Sequence, residues 1–117
     1  MDIDTAEQAI KVNVLYSYLA AKKAHETIFR DRPDKSVAIG YLNSALSYSK
    51  TAYAIYVCHL DRLEHVELDD YFHELQTFVE EALECYRTDH SHQWTDIHFN
   101  RLEEKYNRIK SIVGIEG

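Results

Sequence analysis

An all-α fold, arranged as an up-down-up-down antiparallel four-helix bundle, is what this sequence predicts, and three observations predict it. Three Gly and one Pro among 117 residues are too few to punctuate the turns of a sandwich or barrel. Apolar residues recur at alternating three- and four-residue steps along four successive segments, the spacing that lines one face of a helix. The stretches between these segments are short, which forces neighbouring helices to run antiparallel. Apolar types at 45% and charged types at 28% exclude a disordered chain. A chain of this length supports one core, so residues 1–117 read as a single domain.

The first helix is predicted over residues 5–30. Asp4 and Glu7 stand in capping-box spacing, and Ile10, Val14, Ser17, Ala21, Ala24 and Ile28 make its stripe before Pro33, the only proline, closes the segment. The second helix is predicted over 34–64, with the stripe Ile39, Leu42, Leu46, Ser49, Tyr53, Tyr56, Leu60 and Leu63. The same spacing then lands on Glu67, Asp70 and Glu74, so the helix has to break. A new register over 68–88 carries Leu68, Phe72, Leu75, Val79 and Tyr86, with Glu67, Asp69 and Asp70 at the positive end of the helix. The fourth helix, over 92–113, carries Phe99, Leu102, Tyr106, Ile109 and Val113 and stops at Gly114. Trp94 is expected to close the core beside the last loop.

Charge and thiols bound the setting. Asp2 and Asp4 stand where a signal peptide would be basic, and the longest run without Asp, Glu, Lys or Arg, Ser36 to Ser49, is too short to span a bilayer. Membrane spanning is therefore not expected. Cys58 and Cys85 fall about 18 Å apart on antiparallel helices turning near residue 65, at 1.5 Å per residue, so no disulfide is expected and a cytoplasmic location fits. The net charge of −7 is concentrated between residues 61 and 84, where nine acids face the single base Arg62. Duplex nucleic acid is a poor partner for such a segment, whereas a basic protein surface suits it. In the predicted bundle, Asp2, Asp4, Glu7, Asp61, Glu64, Glu67, Asp69 and Asp70 gather at one end.

The second helix has a further stripe. Tyr41, Ala45, Tyr48, Ala52 and Ile55 also follow four- and three-residue steps, about 200° from the first stripe at 100° per residue. A peripheral bundle helix needs one apolar face. The second either packs inside the monomer or docks on another chain, and tyrosine suits a surface that alternates between water and a partner. Tyr41, Tyr48, Ala52 and Ile55 are accordingly the candidate partner-binding residues, with a homodimer or another protein as the partner. The expected function is a non-enzymatic interaction or regulatory module presenting an acidic third helix, with no cofactor.

The alternative is a metal-assisted or ribonuclease-like phosphodiester or nucleotide hydrolase. Asp61, Glu64, His65, Asp69, Asp70 and His73 supply oxygen and imidazole ligands near one turn, and in a continuous helix His65, Asp69 and His73 would align at i, i+4 and i+8. No Glu-x-x-His, HExxH or CxxC framework accompanies them. Glu64 and Glu67 followed by Glu81 and Glu84 resemble the paired acidic helices of MazG-like nucleotide pyrophosphatases. The second pair, however, ends in Glu84 where that pattern carries Asp, and the first falls on a predicted turn. Arg87, four intervening residues and His92 resemble the Arg–His spacing of HEPN-type ribonucleases, which implies a pair acting on a phosphodiester. Chance alone supplies about one such spacing in a chain with this many Arg and His. No GxSxG elbow or catalytic triad is present, so no other catalytic residue is expected.

Overall fold

A computed structural model describes residues 1–115. Among them the chain forms helices only: α1 Ile3–Ile28, α2 Lys35–Val57, α3 Leu60–Leu63, α4 Val66–Thr88 and α5 Gln93–Val113. The α1 helix packs on α2 and α5, and α4 packs on α5 and α2, while α1 and α4 barely touch across the centre. Cross-contacts fix the sense of each pair. Tyr18 donates to Glu103 and His25 meets Asp96, so α1 and α5 run in opposite directions. Tyr71 lies against Tyr106 and Phe78 against Phe99, so α4 and α5 do the same. The particle measures 44 × 24 × 22 Å, its long axis matching the length of the helices.

Several element boundaries differ from the sequence expectation, among them the end of α1 at Ile28 rather than residue 30. The α1 helix starts earlier because Asp2, not Asp4, is its N-cap: the Asp2 carboxylate accepts from the Thr5 N–H at 2.8 Å, which also holds its pKa down. The expected second helix stops at Val57, and Leu60 and Leu63 belong to the separate single turn α3. The cause is tertiary. The buried Tyr56 hydroxyl accepts from the His65 N–H at 3.0 Å and donates to the His65 carbonyl at 3.4 Å, which requires the chain to fold back after Cys58. The next helix then begins at Val66, capped by His65, whose Nδ1 accepts from the Glu67 N–H. The last helix ends as expected on Gly114, in the left-handed region at φ 84°, a conformation that favours glycine.

The core holds the expected stripes of α1, α4 and α5 together with Leu42, Ala45, Ala52 and Tyr56 of α2. At its centre the wholly buried Tyr71 hydroxyl lies 2.6 Å from the Ser17 hydroxyl, and both lie within reach of the Val14 carbonyl. Burial drives the Tyr71 pKa far up, because an ionised phenol there would lose its water. Trp94, expected to close the core, is instead 57% exposed. Its position in the first turn of α5 points it outward, and Phe99 and Thr95 fill the adjoining interior.

Candidate partner-binding surface

The second stripe of α2 divides between inside and outside. Ala45 and Ala52 are fully buried, and Tyr41 and Ile55 are half-buried against the core. Small side chains at 45 and 52 let the neighbouring helix approach closely. Tyr48 is too large to follow them and stays 40% exposed, its ring 5.5 Å from that of Tyr16 on α1. Ala52 therefore supplies packing beneath the surface rather than contact area on it. On the opposite flank Tyr53, expected in the core stripe, is 49% exposed, with its ring edge-on to Phe72 of α4.

Between these flanks runs a line that sequence reading did not single out. Gly40, Ser44, Ser47, Thr51 and Ala54 follow four- and three-residue steps, all exposed, on the side of α2 away from Ala38, Ala45, Ser49 and Tyr56. The whole helix carries only Lys35 and Lys50 as charges. A Cβ added at Gly40 would meet nothing within 4 Å, so that position opens fully to solvent. Apolar side chains border the line on both sides: Tyr16, Leu19, Val37 and Tyr48 along one, Tyr53 and Val57 along the other, each at least 40% exposed. Solvated helix faces ordinarily carry several charges, and this one carries a single cation, Lys50, beside Ser47, Thr51 and Ala54, and no carboxylate.

The residues considered for metal binding are spread by the break after α2. His65 is extended and spends Nδ1 on the cap of α4, so it cannot stack above Asp69 and His73 on one helical face. Asp69 and His73 instead line a groove of about 740 Å³ between α2 and α4, with Lys50, Tyr53, Phe72 and Gln76, while Asp70 turns to Lys105 at 4.0 Å. Asp61, within α3, and Glu64, at its C-terminal end, are both exposed. Among the described residues no three His, Cys, Asp or Glu side chains converge as a ligand set.

Nor do Arg87 and His92 form a pair. The Arg87 guanidinium is exposed and held bidentately by Glu84, whose carboxyl it keeps below the ordinary range. His92 turns the other way, hydrogen-bonding Thr95 at 3.0 Å and lying edge-on to Tyr86, where burial lowers its pKa and favours the neutral ring. The depression beside them is lined by Glu81, Cys85, His90 and Trp94 among others, and by neither Arg87 nor His92. Cys85 is buried, its thiol donating to the Ser91 carbonyl at 3.2 Å, and burial raises its pKa, the reverse of what a nucleophile needs. Glu81 and Glu84 share that depression without a partner pair, since Glu64 and Glu67 flank the distant start of α4.

No protein-family model, curated protein or solved structure matches the chain. The surface chemistry of the molecule is thus the sole guide to its role. Among the described residues no helix is long and apolar enough to cross a membrane. Cys58 is exposed, Cys85 is buried, and both are free.

Proposed function

We propose that the protein is a small interaction module that acts by recognition without chemistry and self-associates through the outward face of α2. In this reading the four long helices form an up-down-up-down bundle in which α3 belongs to the second turn, and the free thiols suit the reducing cytoplasm. One observation carries the proposal: α2 combines an uncharged outer line of small residues with exposed aromatic and aliphatic side chains on both flanks. The small residues permit close backbone approach, and the tyrosine rings supply area that tolerates water when the surface is free.

A second copy is the occupant favoured by charge and area. The chain bears −7 overall, yet this face contributes no carboxylate, so two copies meet there with little repulsion. At 23 residues the helix is about 34 Å long, and with its flanks from α1 it offers a strip on the scale of the roughly 800 Å² per partner that a specific dimer buries. The acidic α4, with Glu67, Asp69, Asp70, Glu74, Glu80, Glu81 and Glu84, stays free in such a dimer to steer a basic partner. Sedimentation equilibrium of the wild type against Tyr48→Glu tests this. A concentration-dependent dimer that Tyr48→Glu converts to a folded monomer supports it, and a wild type that stays monomeric at tens of micromolar removes it.

A further inference from the structure

Among the described residues Ser17, Thr27, Ser49 and Thr95 are the buried serines and threonines. Three of their hydroxyls have partners: the Val14 carbonyl for Ser17, the Lys23 carbonyl for Thr27 and the His92 ring for Thr95. Ser49 of α2 is the exception. It is only 4% exposed, yet its hydroxyl makes neither the backward bond usual inside a helix nor any other among the described residues. Nor is it sealed in, since the side-chain atom shut away without a partner among those residues is the Tyr86 hydroxyl. The Ser49 hydroxyl therefore opens onto the groove of about 740 Å³ that Ser49 helps to line between α2 and α4. That volume falls within the roughly 300–1,000 Å³ of small-molecule sites. A hydroxyl held there costs stability until something bonds it.

The groove takes its charge from its own lining side chains. Lys50 and Asp69 both line it, both are exposed, and neither joins an ion pair among the described residues. They stand at opposite ends. Tyr56 bonds His65 while Tyr53 meets Phe72 edge-on at 5.5 Å, so α2 and α4 run in opposite directions. From the Tyr53–Phe72 contact, Ser49 and Lys50 lie towards the start of α2 and Asp69 towards the start of α4. At 1.5 Å per residue this sets Lys50 and Asp69 roughly 9 Å apart along the groove, with the two rings between them. A ligand of one charge sign meets repulsion at one end. A single amino acid carries its charges too close together to reach both, whereas three extended residues span about 10 Å and place a side chain in the middle.

We propose that this groove binds a short linear peptide with both termini free, about three residues long. Its carboxylate accepts from the Lys50 ammonium and the Ser49 hydroxyl, its terminal ammonium donates to Asp69, and an apolar central side chain packs on Tyr53 and Phe72. Lys50 and Tyr53 also border the outward face of α2, but peptide binding does not require self-association, which sedimentation reads separately.

The test titrates the intact isotope-labelled chain with Gly-Phe-Gly and follows backbone amide resonances. Shifts are expected at Ser49, Lys50, Tyr53, Asp69 and Phe72. Acetylating the amine and amidating the carboxylate are each expected to weaken binding roughly two- to fivefold, the worth of one exposed ion pair. Gly-Gly-Gly, without the ring, is expected to bind more weakly than Gly-Phe-Gly. The variants cross with the blocked ends. Lys50→Gln should narrow the preference for the free acid over the amide and keep the preference for the free amine, and Asp69→Asn should do the reverse. Both positions are exposed, so the melting curve should hold. Ser49→Ala should weaken the free acid more than the amide. An absence of shifts at tens of millimolar peptide, equal binding of free and blocked peptides, or variants that keep the discrimination they should lose would overturn the proposal.

Discussion

Tyrosines on the two sides of this molecule live under different rules. Tyr56 and Tyr71 are fully buried, and each hydroxyl is tied to a specific partner, His65 in one case and Ser17 with the Val14 carbonyl in the other. Tyr16, Tyr48 and Tyr53 have comparable neighbours in sequence yet remain between 40% and 49% exposed, their rings tilted against one another or edge-on to the rim of the core. A buried phenol has to satisfy its hydroxyl, and that need specifies where the chain must go. An exposed phenol places no such demand and keeps its ring available. The interior tyrosines thus determine the fold, and those around α2 are free to serve a surface.

Truncation breaks this comparison most sharply. Tyr71→Ala should cost about 3–5 kcal/mol, from lost ring packing and a stranded Ser17 hydroxyl, whereas Tyr48→Ala should cost about 1 kcal/mol or less. Urea denaturation of both variants checks the pair, and similar losses would erase the distinction. Next in size is Gly40→Ala. Because the new methyl meets nothing within the chain, removing a mid-helix glycine should stabilise the monomer by about 0.5–1 kcal/mol while weakening self-association, read as a higher Tm alongside a larger dimer dissociation constant. A Tm that falls would mean that the helix face is not open as described.

The smallest effect concerns His92. Burial holds its imidazole below the ordinary 6.5, so as pH falls the unfolded chain takes up the proton first. The associated stability is complete above about 6.5 and is lost as pH drops from there towards the lower folded value. His92→Gln should therefore flatten the decline in urea midpoint on acidification from above to below 6.5. An unchanged decline would assign acid sensitivity elsewhere.

Much of the architecture was legible because α1, α4 and α5 bury a stripe apiece at regular helical steps, and Gly114 announces the final stop. The break after Val57 was not legible. No Gly or Pro marks it, and its cause is the contact between Tyr56 and His65, which only folding brings together. The cap of α1 was misread because Asp4 and Glu7 match a familiar spacing, while Asp2 makes the actual bond to Thr5 with no partner carboxylate to advertise it. For the candidate surface, the opposed stripes of α2 were visible, but not how they divide: Ala45 and Ala52 slip under α1, and Tyr48 does not. The line from Gly40 to Ala54 carried a readable signal in its spacing and lack of charge, yet small polar residues look like an ordinary wet face. The cavity of about 150 Å³ among Glu7, Ile10, Leu63, Leu68, Ile112 and Val113 draws its walls from four helices, and no single segment could have announced it.

Self-association through α2 is tested most directly by a nitroxide attached to Cys58, an exposed thiol just beyond the C-terminal end of that helix, with Cys85 protected by burial. Double electron–electron resonance on the labelled wild type is expected to give a dipolar modulation with one defined inter-label distance, lost in Tyr48→Glu. A wild-type trace with no intermolecular modulation at tens of micromolar, or one that Tyr48→Glu leaves unchanged, would contradict the proposed role of this face.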